Sequence, residues 1–202
     1  MSPSREAAAR PRLVVGISGA SGAIYGIRLL ETLREIGVES HLVMSKAAEM
    51  TIAYETDLTP AAVKALADVV YPLGDLGAPI SSGSFPTLGM VVAPCSVRSL
   101  AEIATGVTGS LLTRAADVTL KERRRLVLML RETPLHSGHL RNMLALSDMG
   151  AVIAPPVPAF YIRPAGIAEL VDHSIGRVLD LFGLENKLAR RWGEETLTRK
   201  PR

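Results

Sequence analysis

Arg12-Leu-Val-Val-Gly-Ile-Ser-Gly-Ala-Ser-Gly-Ala-Ile-Tyr-Gly26 decides the fold. Its apolar start, Leu13 to Val15, predicts a buried strand. A small-residue loop follows, Gly16 to Gly22, with glycines at 16, 19 and 22. Apolar residues then recur at Ile24, Ile27, Leu30 and Leu33, the spacing of a helix that buries one face. Strand, glycine-rich loop and helix make the first half of a βαβ unit. The N–H groups that open such a helix face outward, unpaired and partly positive, so the loop is a candidate phosphate cradle. Tight packing alone can demand the same glycines.

Outward from this unit, Glu39 to Met44 reads as a second strand that ends at Ser45-Lys46. A dinucleotide-binding unit carries an acid there for the ribose, so Ser45 and Lys46 weaken an NAD(P)-dependent oxidoreductase reading. Ser45 is either a ligand contact or a helix N-cap. Helices are expected over 47–55 and from Thr59-Pro60, with a short strand over 68–71. The polar loop Ile80 to Thr87 is either functional or a plain connection. Strand 90–93 ends in Pro94-Cys-Ser-Val-Arg-Ser99, a second hydroxyl-rich strand-to-helix loop. A helix over 109–122 carries Arg114 and Lys121 on similar faces, and Lys121 to Arg125 reads as a solvated turn. Strand 126–130 is closed by Arg131-Glu132. Ligands of open α/β sheets sit at that carboxyl edge. Arg131 is therefore a candidate for a phosphate or an electron-rich ring, and Glu132 for an acid/base or a structural ion pair. A helix over 136–149, a strand over 151–154 and a stiff proline-rich segment presenting Phe160 and Tyr161 come next. The last helix, 167–182, carries Arg177 among Val171, Ile175, Val178 and Leu179.

This alternation with near-continuous apolar strands implies a single doubly wound α/β domain, flavodoxin-like or Rossmann-like, with a parallel sheet and helices on both faces. Residues 12–192 form the expected domain, after a disordered leader (1–11) and before a tail (193–202). At 202 residues and 48% hydrophobic content, one sizeable core suffices. A formal charge of +3 and 4% aromatics argue against nucleic acid as a partner. A single cysteine, Cys95, excludes an internal disulfide and suits a reducing, cytoplasmic compartment. It is either a nucleophile or a small buried filler. No apolar run approaches the ~18 residues of a membrane span. His136 and His139 are a candidate metal pair, but no further Cys/His cluster supplies the remaining ligands.

Several motifs taken in order carry a resemblance. They are Gly16-Ile-Ser-Gly-Ala-Ser-Gly-Ala23, Met44-Ser-Lys46, Glu55-Thr-Asp57, Ser82-Gly-Ser-Phe85, Pro94-Cys-Ser96, Arg114-Ala-Ala-Asp-Val118, Leu120-Lys-Glu-Arg-Arg124, Arg131-Glu-Thr-Pro-Leu135 and Pro158-Ala-Phe-Tyr161. From about residue 12 to Trp192 the chain resembles the UbiX-type flavin prenyltransferases, formerly described as phenylacrylic acid decarboxylase-like proteins. The resemblance implies a flavoprotein that joins dimethylallyl, from dimethylallyl monophosphate, to N5 and then C6 of reduced FMN. It also implies no metal, a homo-oligomer (commonly a dodecamer) and delivery of prenylated FMN to a UbiD-type decarboxylase. Position by position, it places FMN against Gly19, Ala20, Ser21, Ser45, Ser96, Val97, Arg98, Ser99 and Arg131. It places the dimethylallyl phosphate against Lys121, Arg131, Tyr161 and Arg177, partly from neighbouring subunits. Glu132 is the implied acid/base, with Ser21, Lys121 and Glu55 completing the catalytic set. A cation-lined pocket of this kind can stabilise a leaving phosphate by charge-assisted hydrogen bonds in place of magnesium. Arg125, and Gly109-Ser110, depart from the family pattern outside these positions. The competing readings are a non-catalytic FMN-binding subunit of a decarboxylase and a cysteine-decarboxylase-like flavoprotein.

Overall fold

The computed structural model describes residues 10–191 and 193. Most of the expected leader and tail, with Trp192, lies outside the described residues. Six strands form one parallel sheet: β1 (Arg12–Ile17), β2 (Glu39–Met44), β3 (Val69–Tyr71), β4 (Gly89–Cys95), β5 (Arg125–Leu130) and β6 (Val152–Ile153). Their order is β3-β2-β1-β4-β5-β6, the Rossmann arrangement of a doubly wound sheet. In register, Val15 lies between Leu42 of β2 and Val91 of β4.

Side chains alternate along β1, so the two faces build separate cores. Leu13, Val15 and Ile17 join Ile27, Leu30 and Leu33 of α1 (Ala23–Glu35) and Ile175 and Leu179 of α7 (Ile167–Asp180). Ala48 and Ile52 of α2 (Lys46–Glu55) and Val63 of α3 (Pro60–Lys64) extend this layer. On the other face Val14, Met90 and Val92 pack on Leu100 of α4 (Val97–Ala104), Leu112 and Ala115 of α5 (Leu111–Lys121), and Leu146 of α6 (Ser137–Asp148). Strands buried on both faces need apolar residues at every position, which is why they read as continuous runs rather than alternating ones.

The elements match those expected, with shifts at their ends. The fourth helix starts at Val97 because the Ser96 hydroxyl caps it, accepting from the Ser99 amide at 3.2 Å. The last strand shrinks to Val152–Ile153 at the open edge of the sheet. The polar loop over 80–87 is pinned from below: the Arg124 guanidinium donates to the Phe85 and Gly83 carbonyls at 2.7 and 2.6 Å. Arg124 thus ties a connection at the amino edge, and the run it belongs to is more than a solvated turn.

Candidate active site

The sheet order reverses between β1 and β4, which leaves a crevice beyond their carboxyl ends. A cavity of about 570 Å³ opens there. It is lined by Gly19, Ala20 and Ser21 after β1, Ser45, Lys46 and Ala47 after β2, Ser96 to Ser99 after β4, Ser110 before α5, and Arg131 and Glu132 after β5. All the residues expected on the flavin therefore meet in one hollow, with the proposed acid/base on its rim.

Ser18 holds the two central loops together. Its buried hydroxyl donates to the Pro94 carbonyl at 2.8 Å and accepts from the Ser96 amide at 2.7 Å. The Arg131 amide donates to the Cys95 carbonyl at 3.0 Å, which fixes the start of the Arg131-Glu132 segment beside the same loop. Sequence reading passed over Ser18. Its signal was a hydroxyl flanked by glycine in a loop otherwise built for close approach.

Helices α1, α2, α4 and α5 all begin at this edge, so their positive ends converge on the cavity. Ser45, Ser96 and Ser110 each cap one of them while lining the hollow. Capping and ligand lining are therefore compatible roles for Ser45 rather than alternatives. The first-turn amides of Val97 and Arg98 have no hydrogen-bond partner among the described residues. Such donors suit an anionic group.

One expectation is corrected. The amides that open α1 are not left unpaired: Gly22 and Ala23 donate to one carboxylate oxygen of Glu55 at 2.8 and 3.1 Å. Burial pushes the Glu55 carboxyl up, but hydrogen bonds from Ser21, Gly22 and Ala23 and the charge of Arg131 outweigh it and hold it below its ordinary value. Packing also explains part of the glycine pattern. A Cβ on Gly19 would stand 2.3 Å from the Ala47 Cβ, whereas Gly22 is required by its φ of 98°.

Arg131 and Glu132 are exposed and make no ion pair among the described residues; Glu132 only accepts from the neighbouring Thr133 amide at 3.0 Å. Cys95 is fully buried, and burial pushes its thiol up to about 12, so it behaves as a small apolar filler. His136 caps α6, accepting from the Gly138 amide at 3.0 Å, and stacks on His139 with ring centroids 3.6 Å apart. Among the described residues no group of three or more His, Cys, Asp or Glu is placed to hold a metal ion.

The remaining substrate candidates stand apart from the cavity. Tyr161 bonds His173 of α7 at 3.1 Å. Arg177 pairs with Asp180 at 2.9 Å and borders a second hollow of about 240 Å³ with His173, Met129 and Pro155. Its side chain is 59% exposed, so its charge faces solvent and is not the oddity that its apolar neighbours in sequence suggest. Lys121 ends α5, pairs with Glu122, and lies one helix length, ~16 Å at 1.5 Å per residue, from the cavity edge where α5 begins.

Comparison with known proteins bears on this geometry. The Flavoprotein family pattern matches residues 1–180. The flavin prenyltransferase UbiX of Escherichia coli K12 is 57% identical over 184 residues, covering 90% of this chain and 97% of its own. That of Thauera aromatica is 56% identical over 181 residues, covering 90% and 93%. The chain belongs to the UbiX flavin prenyltransferase family. Among solved structures, AnUbiX (PadA1), described in complex with FMN and dimethylallyl pyrophosphate, superposes with a TM-score of 0.90 at 56% identity, over 92% of this chain and 98% of that one. A dodecameric FMN-dependent UbiX-like decarboxylase from Escherichia coli O157:H7 follows at 0.88 and 54%, over 90% and 98%. The cysteine decarboxylase TvaF, at 19% identity and 0.60, shares the fold alone. Among the described residues no helix of this UbiX-family chain is long and apolar enough to cross a membrane.

Proposed function

We propose that this chain is a flavin prenyltransferase that moves dimethylallyl from dimethylallyl monophosphate to N5 and C6 of reduced FMN, releasing phosphate. The observation that carries the reading is the switch-point cavity, where small-residue loops, capped helix starts and the Arg131-Glu132 pair converge. FMN fits such a lining. Small residues at Gly19 and Ala20 line it where a flat ring system would lie, and the amides of Val97 and Arg98 with the Ser45 and Ser99 hydroxyls offer donors to a phosphate or to ring carbonyls. When bound, the reduced flavin supplies the electron-rich atoms that take the allyl group.

The chain's own residues then have three tasks. Arg131, with Lys121, Tyr161 and Arg177, would bind the donor phosphate and stabilise it as the C–O bond ionises. Glu132 would accept, at a carboxylate oxygen, the proton lost as the ring closes. Ser21, bonded to Glu55, would hold the first loop in place at the acceptor. Lys121 lies away from its own cavity, which supports a homo-oligomer in which a neighbour's Lys121 completes the site. The product would pass to a UbiD-type decarboxylase. A cytoplasmic location belongs to the same proposal, with the free buried Cys95 as its support.

Anaerobic incubation with reduced FMN and dimethylallyl monophosphate, then mass analysis of the extracted flavin, tests the reading. A flavin heavier by one C5 prenyl unit is the expected result. Bound but unmodified FMN, with the pyrophosphate donor as well as the monophosphate, would favour the carrier subunit instead.

A further inference from the structure

We infer that the loop over 82–85, clamped by Arg124, is the seat that positions Lys121 for the donor phosphate. The inference rests on the reading of Lys121 as a phosphate contact made to a neighbour's cavity. Lysine carries its charge on a flexible four-carbon stem, so the place of the ammonium depends on what stem and head lean against. Lys121 closes α5 with its side chain half exposed. Its ammonium pairs with the Glu122 carboxylate, and both heads lie against Gly83. A Cβ on Gly83 would stand 2.6 Å from the Glu122 carboxyl carbon and 2.9 Å from Lys121 Nζ. Only a residue without a side chain leaves them that place.

The loop is fixed at two points. Phe85 packs on the core, edge-on to His41 with ring centroids 5.2 Å apart, and the Arg12 guanidinium lies over its ring at 4.9 Å. The Arg124 guanidinium donates to the Gly83 and Phe85 carbonyls at 2.6 and 2.7 Å, a fork that a lysine amine cannot reproduce. One turn of chain supplies both the clamp and the pair it serves. Arg123 takes a φ of 56°, and the amides of Arg123 and Arg124 donate back to the Leu120 and Thr119 carbonyls at 2.9 Å each. This left-handed cap ends α5 between the Lys121–Glu122 pair and Arg124. The two residues before it lean on the loop, and the residue after it reaches 41 positions back to hold that loop. The hydrogen bond and charge of Lys121, and then the charge of Arg124, keep the Glu122 carboxyl below its ordinary value with desolvation opposing, so the pair stays ionised at neutral pH. An ammonium has three donors, and one bond to Glu122 leaves two. The seat fixes where the stem stands and leaves the head free to turn, so a phosphate is met without first ordering a wandering side chain.

Gly83→Ala tests the seat with the fold spared, because its φ lies outside the left-handed region and the atoms its Cβ would meet are the ends of flexible side chains. It should lower kcat/KM for dimethylallyl monophosphate roughly two- to tenfold, the range for immobilising one long side chain, with FMN affinity unchanged. Arg124→Lys, which can reach one carbonyl but not both, should do the same from the other side of the loop. Each of them combined with Lys121→Ala should be no worse than Lys121→Ala alone, because a seat without its lysine has nothing to position. A merely structural defect would multiply with the loss in Lys121→Ala and weaken FMN binding as well. Multiplying losses, or wild-type kcat/KM in Gly83→Ala, therefore overturn the inference and leave Lys121 its role. Should Arg124→Lys fail to assemble, the Gly83→Ala cycle decides by the same criteria. Unchanged kcat/KM in Lys121→Ala itself removes the phosphate reading of Lys121, and the inference with it.

Discussion

The two halves of the proposed site are built by different means. The flavin half belongs to one chain and largely to its backbone: strand ends, capped helix starts and loops locked by Ser18. The donor half is a set of side chains on three elements: Tyr161 meets His173 of α7, one turn from Arg177, whereas Lys121 ends α5 and pairs with Glu122. A ring system of fixed shape suits a rigid cradle. A phosphate that must be held while a bond breaks suits mobile cations that close around it. The sharpest test of this division is Glu132, which lines the flavin cavity beside Arg131, the residue assigned to both halves. Glu132→Gln should keep FMN affinity and lower turnover by about 10²–10⁴-fold, the usual worth of a general acid/base. Anaerobic turnover with mass analysis, beside a flavin titration, reads both. Turnover at the wild-type rate would take the proton transfer away from Glu132.

Lys121 tests whether the donor half is shared between copies. Lys121→Ala should lower turnover by about 10²-fold, as for removal of one preorganised charge donor, and again spare FMN binding. Oligomers assembled from Lys121→Ala and Glu132→Gln chains together should recover part of the lost activity. Some sites then combine the intact Glu132 of one chain with the intact Lys121 of the other, while both defects fall together in the remaining sites. No recovery in mixed oligomers of verified composition would mean that Lys121 serves its own chain's cavity or none.

The flavin half was far more legible in the sequence than the donor half, and for physical reasons. Strand ends followed by small or hydroxyl residues mark ligand positions because the sheet topology places every such end on one edge. Gly19, Ser45, Ser96 and Arg131 could thus be singled out before any coordinates. Pattern could not tell that Glu55 closes the start of α1, since that bond spans 33 residues and depends on how α2 lies against α1. Nor could it tell that Arg177 faces solvent, because its neighbours in sequence are on the buried side of the helix. His173 was invisible for a similar reason: its partner lies in an irregular turn, Phe160–Ile162, which has no periodicity to read.

Within the cradle, Gly19 separates packing from ligand binding. Gly19→Ala sets a Cβ 2.3 Å from that of Ala47, so the loop or the start of α2 must move. The expected cost is ~1–3 kcal/mol of stability, the usual price of overpacking, with FMN affinity falling alongside. Thermal melts with and without FMN check this. A variant as stable as wild type that still loses FMN would show that the space above Gly19 is needed by the ligand rather than by Ala47.

Glu55 should give the smallest effect, and its pH dependence makes it specific. Its carboxylate takes the place at the start of α1 that the sequence alone would leave for a ligand phosphate. The folded-state pKa lies below the ordinary value. The stabilisation is therefore fully present above the pKa of an unfolded glutamate and is lost as pH falls through the lower folded value. Glu55→Gln should cost no more than about 1 kcal/mol at neutral pH, since the carboxylate is exposed and screened. The gap between wild type and variant should close in acid, below the ordinary carboxylate range. Denaturant melts at neutral and acid pH would measure it. A gap that stayed constant across that range would mean that shape, and not charge, is what Glu55 gives the helix, and that the end of α1 has no electrostatic claim on an anion of any kind.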